Sequence, residues 1–296
     1  MEPVVNALTV DLEEWHQAEL IRQRELPVAP VDQAEEACAP ILEALEQAGV
    51  RATFFVVGEV MKRHPDLIRR IRGLGHEVAC HGMSHRPLWT MAEAELEREL
   101  TEFARLYERV LNGARPLGFR APTFSLNQDT RWAVTVLREF GYRYDASIFP
   151  AKTPLYGVPG APLQPYRISA ADVCDEEPRG TLWEFPMTVC NVGGARVPVS
   201  GGAYLRLWPY RFIQRCLRNV NRTRPFVVYV HPWELHAGTP QVEDLTLGER
   251  VATYGGRGRG LAKVRALLND FAFAPMGEVL DRWVEQHNSN GEKARP

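Results

Sequence analysis

Short apolar runs that alternate with helical patterns are the feature of this sequence that most restricts its fold. The apolar runs lie at residues 6–10, 52–57, 77–80, 117–120, 142–145, 182–185 and 225–230. Repeated strand–helix units of this kind predict a parallel sheet covered by helices. Because the sequence contains no glycine-rich phosphate loop, we predict an α/β fold, a distorted (β/α) barrel of about seven to eight strand–helix units in a single domain.

Composition and charge exclude several classes of protein. The 296 residues include 35 basic and 37 acidic side chains, so the net charge of −2 gives no footprint for nucleic acid. No apolar run approaches the ~20 residues that span a bilayer. The first fifteen residues contain no basic side chain, and the five cysteines are scattered without a C-x-x-C pair. These patterns predict a cytoplasmic protein with reduced thiols, no secretory signal and no membrane span.

Polar side chains follow the predicted strands at the point where each strand ends. In chain order they are Asp11, Glu13, Glu14, His81, His85, Arg120, Asp145 and His231. In barrels of parallel strands, functional groups lie at the carboxyl ends of the strands. We therefore expect these residues, which are far apart in the chain, to converge at one mouth of the barrel.

The spacing of His81 and His85 predicts that both imidazoles lie on one face of a helical turn. Two imidazoles and a carboxylate suit zinc or another divalent metal ion. In an extended strand end, Asp11 and Glu13 share a face and Glu14 points away. One carboxylate would complete the metal site while another remains free as a general base.

Further candidates come from the later strand ends and from tryptophans. Arg120 is positioned to hold Asp11 ionised through a bidentate pair. His231 follows a buried strand, and a carboxylate on its other ring nitrogen would raise its pKa, as a proton donor requires. Three tryptophans are candidates for stacking against sugar rings, with the one two residues after His231 the strongest: Trp233, Trp15 and Trp208.

The order and spacing of several segments resemble a known family. The segments are TVDLEEWH, RATFFVVGEV, GHEVACHGMSH, GFRAPTFS, YDASIFP, SGGAYLRLWPY and VYVHPWEL. They resemble the polysaccharide deacetylases with the NodB-homology fold, also called carbohydrate esterase family 4. Within that family the sequence is similar to the branch linked to exopolysaccharide biosynthesis, which carries a C-terminal extension. The resemblance extends over residues 6–286.

The resemblance implies roles for the proton-transfer residues. Asp11 matches the catalytic base, and Arg120 matches the residue that holds this base. His231 matches the catalytic acid, and Asp145 matches the partner that tunes the acid. The backbone N–H of Thr123 falls where the family places an oxyanion donor.

The resemblance also implies one divalent metal ion, which we predict to be Zn²⁺, held by His81 and His85. The commonest first motif of the family has two adjacent aspartates, the second of which binds the metal. Here Leu12 stands at that second position, so the metal carboxylate must be Glu13 or Glu14. Strand alternation favours Glu13.

The resulting hypothesis is a metal-dependent hydrolase that removes acetyl groups from N-acetylated sugar residues of a bacterial poly- or oligosaccharide. The alternatives are an O-acetyl esterase, a hydrolase of small cyclic amides, or a barrel that binds a glycan without cleaving it. We predict a deacetylase barrel over residues 1–240, a C-terminal extension packed on the same domain over 241–287, and a flexible tail over 288–296.

Overall fold

The computed structural model describes residues 4–24, 26 and 31–293. Its strands are β1 (Val5–Leu12), β2 (Thr53–Val56), β3 (Glu77–Cys80), β4 (Gly118–Phe119), β5 (Tyr144–Asp145), β6 (Tyr166–Arg167), β7 (Trp183–Glu184), β8 (Val189–Val192), β9 (Ala195–Pro198), β10 (Val227–Val230) and β11 (Ala272–Ala274). Its helices are α1 (Glu19–Arg22), α2 (Ala34–Ala48), α3 (Gly58–Arg63), α4 (Pro65–Gly73), α5 (Glu93–Val110), α6 (Ala133–Glu139), α7 (Gly202–Leu207), α8 (Tyr210–Val220), α9 (Pro232–Leu235), α10 (Leu247–Tyr254), α11 (Arg257–Asp270) and α12 (Met276–Lys293).

The main sheet is a curled half-barrel of parallel strands, which confirms the predicted α/β class. Its strand order is β10-β1-β2-β3-β4-β5-β7-β6, and β11 pairs with β1 outside this path. Neighbouring strands from β10 to β7 run parallel, whereas β6 runs antiparallel to β7. Within the described part of the chain no pairing joins β6 to β10, so the barrel is open on that side.

Continuous apolar sequence explains the burial of the central strands. All four residues of β2 are buried, because helices cover one face of the sheet and the barrel interior covers the other. The interior is filled by large side chains, among them Phe55, Tyr144 and Tyr229. Gly118 gives the ring of Tyr144 its space, because a Cβ at that position would lie 2.1 Å from the ring.

Residues 241–287 are part of the same packed structure. β11 lies beside β1 in the main sheet, and α12 packs against β1. α11 packs against α2, α7 and α9. The predicted tail overlaps the end of α12, which extends to Lys293, and residues 294–296 lie outside the described residues. None of the described helices combines the length and the hydropathy that crossing a membrane requires.

Because consecutive strands are parallel, their carboxyl ends meet at one edge of the sheet. β1 ends at Leu12, β3 at Cys80, β4 at Phe119 and β10 at Val230. The polar residues that directly follow these strands therefore come from four distant parts of the chain to one end of the half-barrel.

Candidate active site

The end of β1 carries two carboxylates of the candidate site. Asp11 and Glu13 are separated by one residue, so the extended backbone directs both side chains into the same cavity. Leu12 between them is buried in the main core. Glu14 points elsewhere, and its Oε2 accepts a hydrogen bond from the backbone N–H of Gln33 at 3.2 Å. In the structure it is therefore Glu13, the residue favoured by strand alternation, that lines the cavity.

His81 and His85 each direct one ring nitrogen toward Glu13. Nδ1 of His81 lies 2.8 Å from the carbonyl oxygen of Arg120, and Nδ1 of His85 lies 2.9 Å from that of Gln17. Because a carbonyl oxygen only accepts hydrogen bonds, both Nδ1 atoms donate, and each Nε2 keeps its lone pair. Nε2 of His81 lies 3.9 Å from Oε2 of Glu13, and Nε2 of His85 contacts the same oxygen.

The predicted helical turn across the two histidines is wrong. The chain from His81 to His85 is a loop in which Gly82 has a φ of 74° and His85 a φ of 57°. These left-handed conformations interrupt helical geometry and fold the loop back on itself. The loop brings the two imidazole centroids to 4.9 Å, so the rings meet by a sharp turn rather than by helical spacing.

The donor set fits a divalent metal ion. The ligand atoms of Glu13, His81 and His85 lie within 4.8 Å of one another. Burial lowers the pKa of His81 to about 4, so this imidazole is neutral at pH 7. Burial also acts to raise the pKa of Glu13, but His85 and His231 lower it well below its usual range. Neutral imidazole nitrogens with an ionised carboxylate are typical zinc donors.

A second layer of hydrogen bonds orients these donors. The backbone carbonyls of Arg120 and Gln17 fix the imidazole rings, and Nε1 of Trp233 donates to Oε1 of Glu13 at 2.9 Å. Outer partners of this kind are characteristic of metal sites, because they set the tautomer and the ring orientation. Nε2 of His85 is buried, and it contacts Oε2 of Glu13 without hydrogen-bond geometry, which agrees with a metal ion between these donors.

Arg120 is fully buried beside Asp11. Its Nη1 lies 2.5 Å from Oδ1 of Asp11 and 2.9 Å from Oγ1 of Thr9. Its Nε donates to the carbonyl oxygen of Ala146 at 3.1 Å, and its guanidinium carbon lies 4.1 Å from the centroid of the Phe55 ring. Fixed on several sides, this guanidinium holds the Asp11 carboxylate in one orientation through a single charge-assisted hydrogen bond, so the predicted bidentate geometry is wrong.

His231, directly after β10, lies between two sets of carboxylates. Its Nε2 is 3.8 Å from Oδ2 of Asp11, and its Nδ1 is 3.1 Å from Oε2 of Glu234. Burial acts to lower the pKa of His231, but the negative charges of Glu234 and Glu13 raise it by a larger amount, so that the pKa is about 9. The ring stacks on Trp233 with centroids 5.8 Å apart. The protonated form is therefore available near neutral pH.

The carboxylate that pairs with His231 differs from the one predicted from the sequence. Asp145 was expected there, but the structure places Glu234 against Nδ1, because α9 begins directly after His231 and turns residue 234 back toward the ring. Asp145 is buried elsewhere and accepts a hydrogen bond from Oγ of Ser147 at 2.5 Å. Burial raises the pKa of Asp145, and burial together with the charge of Asp145 raises that of Glu184 well above its usual range.

Glu234 in turn is held by a buried arginine. Nη2 of Arg206 donates to Oε1 of Glu234 at 3.0 Å, and both side chains are buried. The same Nη2 donates to the carbonyl oxygen of Ala252 at 2.6 Å, so α7 and α10 both contribute to the support of His231. Sequence reasoning missed both residues. The available signal was the position of Glu234 three residues after a histidine that ends a strand.

Thr123 lies on a strained segment at the cavity wall. It has φ 58° and ψ 25°, and Phe124 has a φ of 48°. Both residues and His85 line the cavity, and they are three of the four non-glycine residues with positive φ in the described chain. Ser147 fixes the segment, because its Oγ accepts a hydrogen bond from the N–H of Ala121 at 2.7 Å. Backbone strain of this kind clusters at functional sites.

The three candidate tryptophans have different surroundings. Trp233 lines the cavity, as expected for a residue that contacts substrate. Trp15 does not line it; this residue packs in a small apolar cluster with Trp233 and donates from Nε1 to the carbonyl oxygen of Val31. Trp208 is half-exposed, packs on Phe212, and is also absent from the cavity wall.

Seven of the predicted residues line one cavity of about 680 Å³. They are Asp11, Glu13, His81, His85, Thr123, His231 and Trp233. Arg120 does not line the cavity but holds Asp11 through a hydrogen bond, whereas Asp145, Trp15 and Trp208 lie outside the cavity wall. The site thus combines a set of metal donors, a carboxylate held by an arginine and a histidine with a raised pKa.

The comparison with protein families divides the chain into two matched segments. Residues 29–144 match the family model described as polysaccharide deacetylase, and residues 146–281 match a domain of unknown function, DUF3473. A chitooligosaccharide deacetylase of Bradyrhizobium sp. is 40% identical over 93 residues, which are 31% of this chain and 42% of that protein. Residues 29–144 belong to the polysaccharide deacetylase family. Asp11 and Glu13 precede the first matched segment, and His231 lies in the second.

Another curated relative is more distant in sequence. A peptidoglycan deacetylase-like protein of Gibberella zeae is 28% identical over 149 residues, 49% of this chain and 40% of that protein. The chain therefore matches only about two fifths of the length of these curated relatives.

Solved structures extend the similarity of fold over nearly the whole chain. A probable polysaccharide deacetylase from Pseudomonas aeruginosa superposes with a TM-score of 0.62 at 16% identity, covering 96% of this chain and 91% of that one. The crystal structure of Puue allantoinase superposes with a TM-score of 0.60 at 16% identity, with the same coverage. Because proteins with different names share this fold, the chemistry must be argued from the site itself.

Proposed function

We propose that this chain is a metal-dependent deacetylase that hydrolyses the acetamido group of N-acetylated sugar residues in a poly- or oligosaccharide. The observation that carries the proposal is the convergence of three metal donors with the Asp11–Arg120 pair and His231 in one cavity. A two-carboxylate glycosidase has no use for two buried imidazoles with free Nε2 atoms. The names of the relatives that act on acetylated saccharides support the same substrate class.

Glu13, His81 and His85 would hold the metal ion. When bound, a divalent ion such as Zn²⁺ supplies Lewis-acid polarisation of the acetyl carbonyl and makes a water nucleophilic near neutral pH. The donors are already oriented by hydrogen bonds to Arg120, Gln17 and Trp233. The protein therefore spends little free energy on arranging them when the ion binds.

The remaining steps belong to side chains and backbone of this chain. Asp11 accepts the proton of the attacking water, and Arg120 keeps its carboxylate turned toward the cavity. The N–H of Thr123 donates a hydrogen bond to the oxyanion that develops on the acetyl carbonyl oxygen when the water adds to the carbonyl carbon. His231 donates a proton to the nitrogen of the leaving amine, after which acetate departs. Cleavage of an amide needs such a donor more than cleavage of an ester does, because an unprotonated amine is a poor leaving group.

Acetate release from defined saccharides tests the proposal. We expect purified protein to release acetate from N-acetylated oligosaccharides, to lose this activity after treatment with a chelator, and to regain it when Zn²⁺ is added. Matched O-acetylated saccharides serve as the comparison, and faster acetate release from them would show that the protein is an O-acetyl esterase instead. Binding of N-acetylated saccharides without acetate release, whichever divalent metal is supplied, would instead indicate a glycan-binding barrel.

Glu234→Gln tests the role of the His231 partner. The Glu234 carboxylate stabilises the protonated imidazole, so its removal lowers the pKa of His231. Because the acid must be protonated, the basic limb of the profile of kcat/KM against pH should move to lower pH by about one unit or more. Asp145→Asn is the comparison variant, and an equal shift in that variant would return the role to Asp145.

A further inference from the structure

The part of the cavity beyond the catalytic residues has a wall of aliphatic side chains. Leu20 comes from α1, Leu155 from the loop after β5, Ala203 and Leu207 from α7, and Ala252 from α10. In ligand pockets, hydrophobic side chains contact the apolar parts of the ligand, whereas a few polar groups fix its orientation. The wall is suited to a group that has no polar atoms.

This apolar wall continues onto the outer surface at the mouth of the cavity. Leu207 is 47% exposed, and Leu247, between two residues that line the cavity, is 79% exposed. Val251 on α10 and Trp208 after α7 are also exposed, and α7 packs against α10. Neighbouring exposed apolar residues beside a binding cavity indicate a ligand or partner that covers them.

The same cavity lacks the groups that bind phosphate. Among its described lining residues there is no lysine and no arginine. The amino end of α10, which also lines the cavity, forms a capping box: the N–H of Glu249 donates to Oγ1 of Thr246 at 3.3 Å, and the N–H of Thr246 donates to Oε2 of Glu249 at 2.9 Å. Glu249 is paired with Arg24 at 2.8 Å, so this arginine is already engaged, and a phosphate would find no lysine or arginine side chain among the described lining residues.

We infer that α1, α7, α10 and the loop after β5 form a subsite for an alkyl or aryl group attached to the acetamido sugar, and that the substrate is neutral next to the sugar. This inference rests on the proposed deacetylation. Region 241–287 therefore contributes part of substrate recognition through α10, in addition to its packing on the barrel. An apolar group leaving the cavity would pass over Leu207 and Leu247.

A series of glycosides of one sugar tests the subsite. We compare methyl, butyl and octyl β-glycosides of N-acetylglucosamine below their critical micelle concentrations, so that no lipid surface is present. Each methylene that enters the subsite contributes up to about fourfold in binding, the equivalent of ~0.8 kcal/mol. Because the apolar group lies away from the reacting atoms, we expect a KM at least tenfold lower for the octyl glycoside, with kcat nearly unchanged.

Two leucines of equal exposure provide the variant and its control. Leu207→Ser should reduce the ratio of octyl to methyl kcat/KM at least threefold. Leu117, 49% exposed and located just before β4 at the opposite end of the sheet, is the matched control, and Leu117→Ser should keep the wild-type ratio. Equal kcat/KM for methyl and octyl glycosides, or an unchanged ratio in Leu207→Ser, would overturn the subsite.

Additional measurements separate failure of the subsite from failure of the proposed chemistry. If no glycoside releases acetate, the proposed deacetylation fails, and calorimetric dissociation constants for the methyl and octyl glycosides then decide on the subsite alone. Uridine diphosphate N-acetylglucosamine carries phosphate in place of the alkyl group. It should react no faster than the methyl glycoside, and a higher kcat/KM than that of the octyl glycoside would contradict the inference.

Discussion

Asp11→Asn should lower kcat/KM for acetate release by about 10²- to 10⁴-fold, the usual contribution of a positioned general base. The amide retains the size of the carboxylate and still accepts the hydrogen bond from Nη1 of Arg120, but it takes no proton from water. Asp11 is not among the three grouped metal donors, so the variant should bind metal as the wild type does. Steady-state kinetics on metal-loaded protein measure the effect.

Metal content and thermal unfolding serve as controls for this variant. A full equivalent of metal and an unfolding temperature within a few degrees of the wild type would assign the loss of rate to proton transfer. Wild-type turnover by Asp11→Asn would eliminate this carboxylate as the base, and the mechanism would need a different proton acceptor.

Arg120→Met should destabilise the protein by about 3–5 kcal/mol, because it leaves a buried carboxylate without its partner. Arg120 is fully buried and its partner Asp11 is 1% exposed, so most of the solvation that an unpaired carboxylate needs is missing. The double variant Asp11→Asn with Arg120→Met removes both charges and should recover a large part of the loss. Urea denaturation of the four proteins gives the free energies of unfolding and their coupling.

An exposed pair provides the comparison for this series. Arg51 and Glu278 are also 2.5 Å apart, but their side chains are 50% and 40% exposed. Arg51→Met should therefore change the free energy of unfolding by less than about 1 kcal/mol. Equal losses for Arg51→Met and Arg120→Met, or no recovery in the double variant, would show that the unpaired charge is not the source of the destabilisation.

The strand pattern and most of the site residues could be predicted from the sequence, because both depend on the pattern of residues that are close in the chain. The run ATFFVV at residues 52–57 is apolar throughout, which is typical of a strand buried on both faces, and β2 lies there. The period of two along β1 distinguished Glu13 from Glu14. Because parallel strands have their carboxyl ends at one edge of the sheet, Asp11, the histidine pair and His231 could be predicted to lie at the same edge.

Contacts between side chains of distant loops could not be predicted from these sequence patterns. The partner of His231 is decided by the direction in which α9 leaves β10, and the spacing of three residues between His231 and Glu234 makes this contact possible but does not select Glu234 over other acids. Trp15 and Trp208 were selected for residue type, but their positions depend on packing against Trp233 and Phe212. The backbone turn at His85 depends likewise on a left-handed conformation that residue type does not predict.

A local signal was available for the hairpin of β8 and β9, which the sequence reasoning missed. Gly193 and Gly194 join the two strands with φ values of 58° and 86°, and a glycine pair between short strands is a standard turn pattern. The surrounding stretch is rich in proline and glycine, and its two short strands are absent from the apolar runs that predicted the sheet.

The central position of β1 has a consequence for how the protein is made. β1 is translated before β2, which follows about 40 residues later and pairs with one edge of β1. The other edge of β1 pairs with β10, which is translated more than 200 residues after β1. Until β10 has been made, the nascent polypeptide therefore carries an unpaired strand edge next to Asp11, the kind of surface that chaperones protect from premature association.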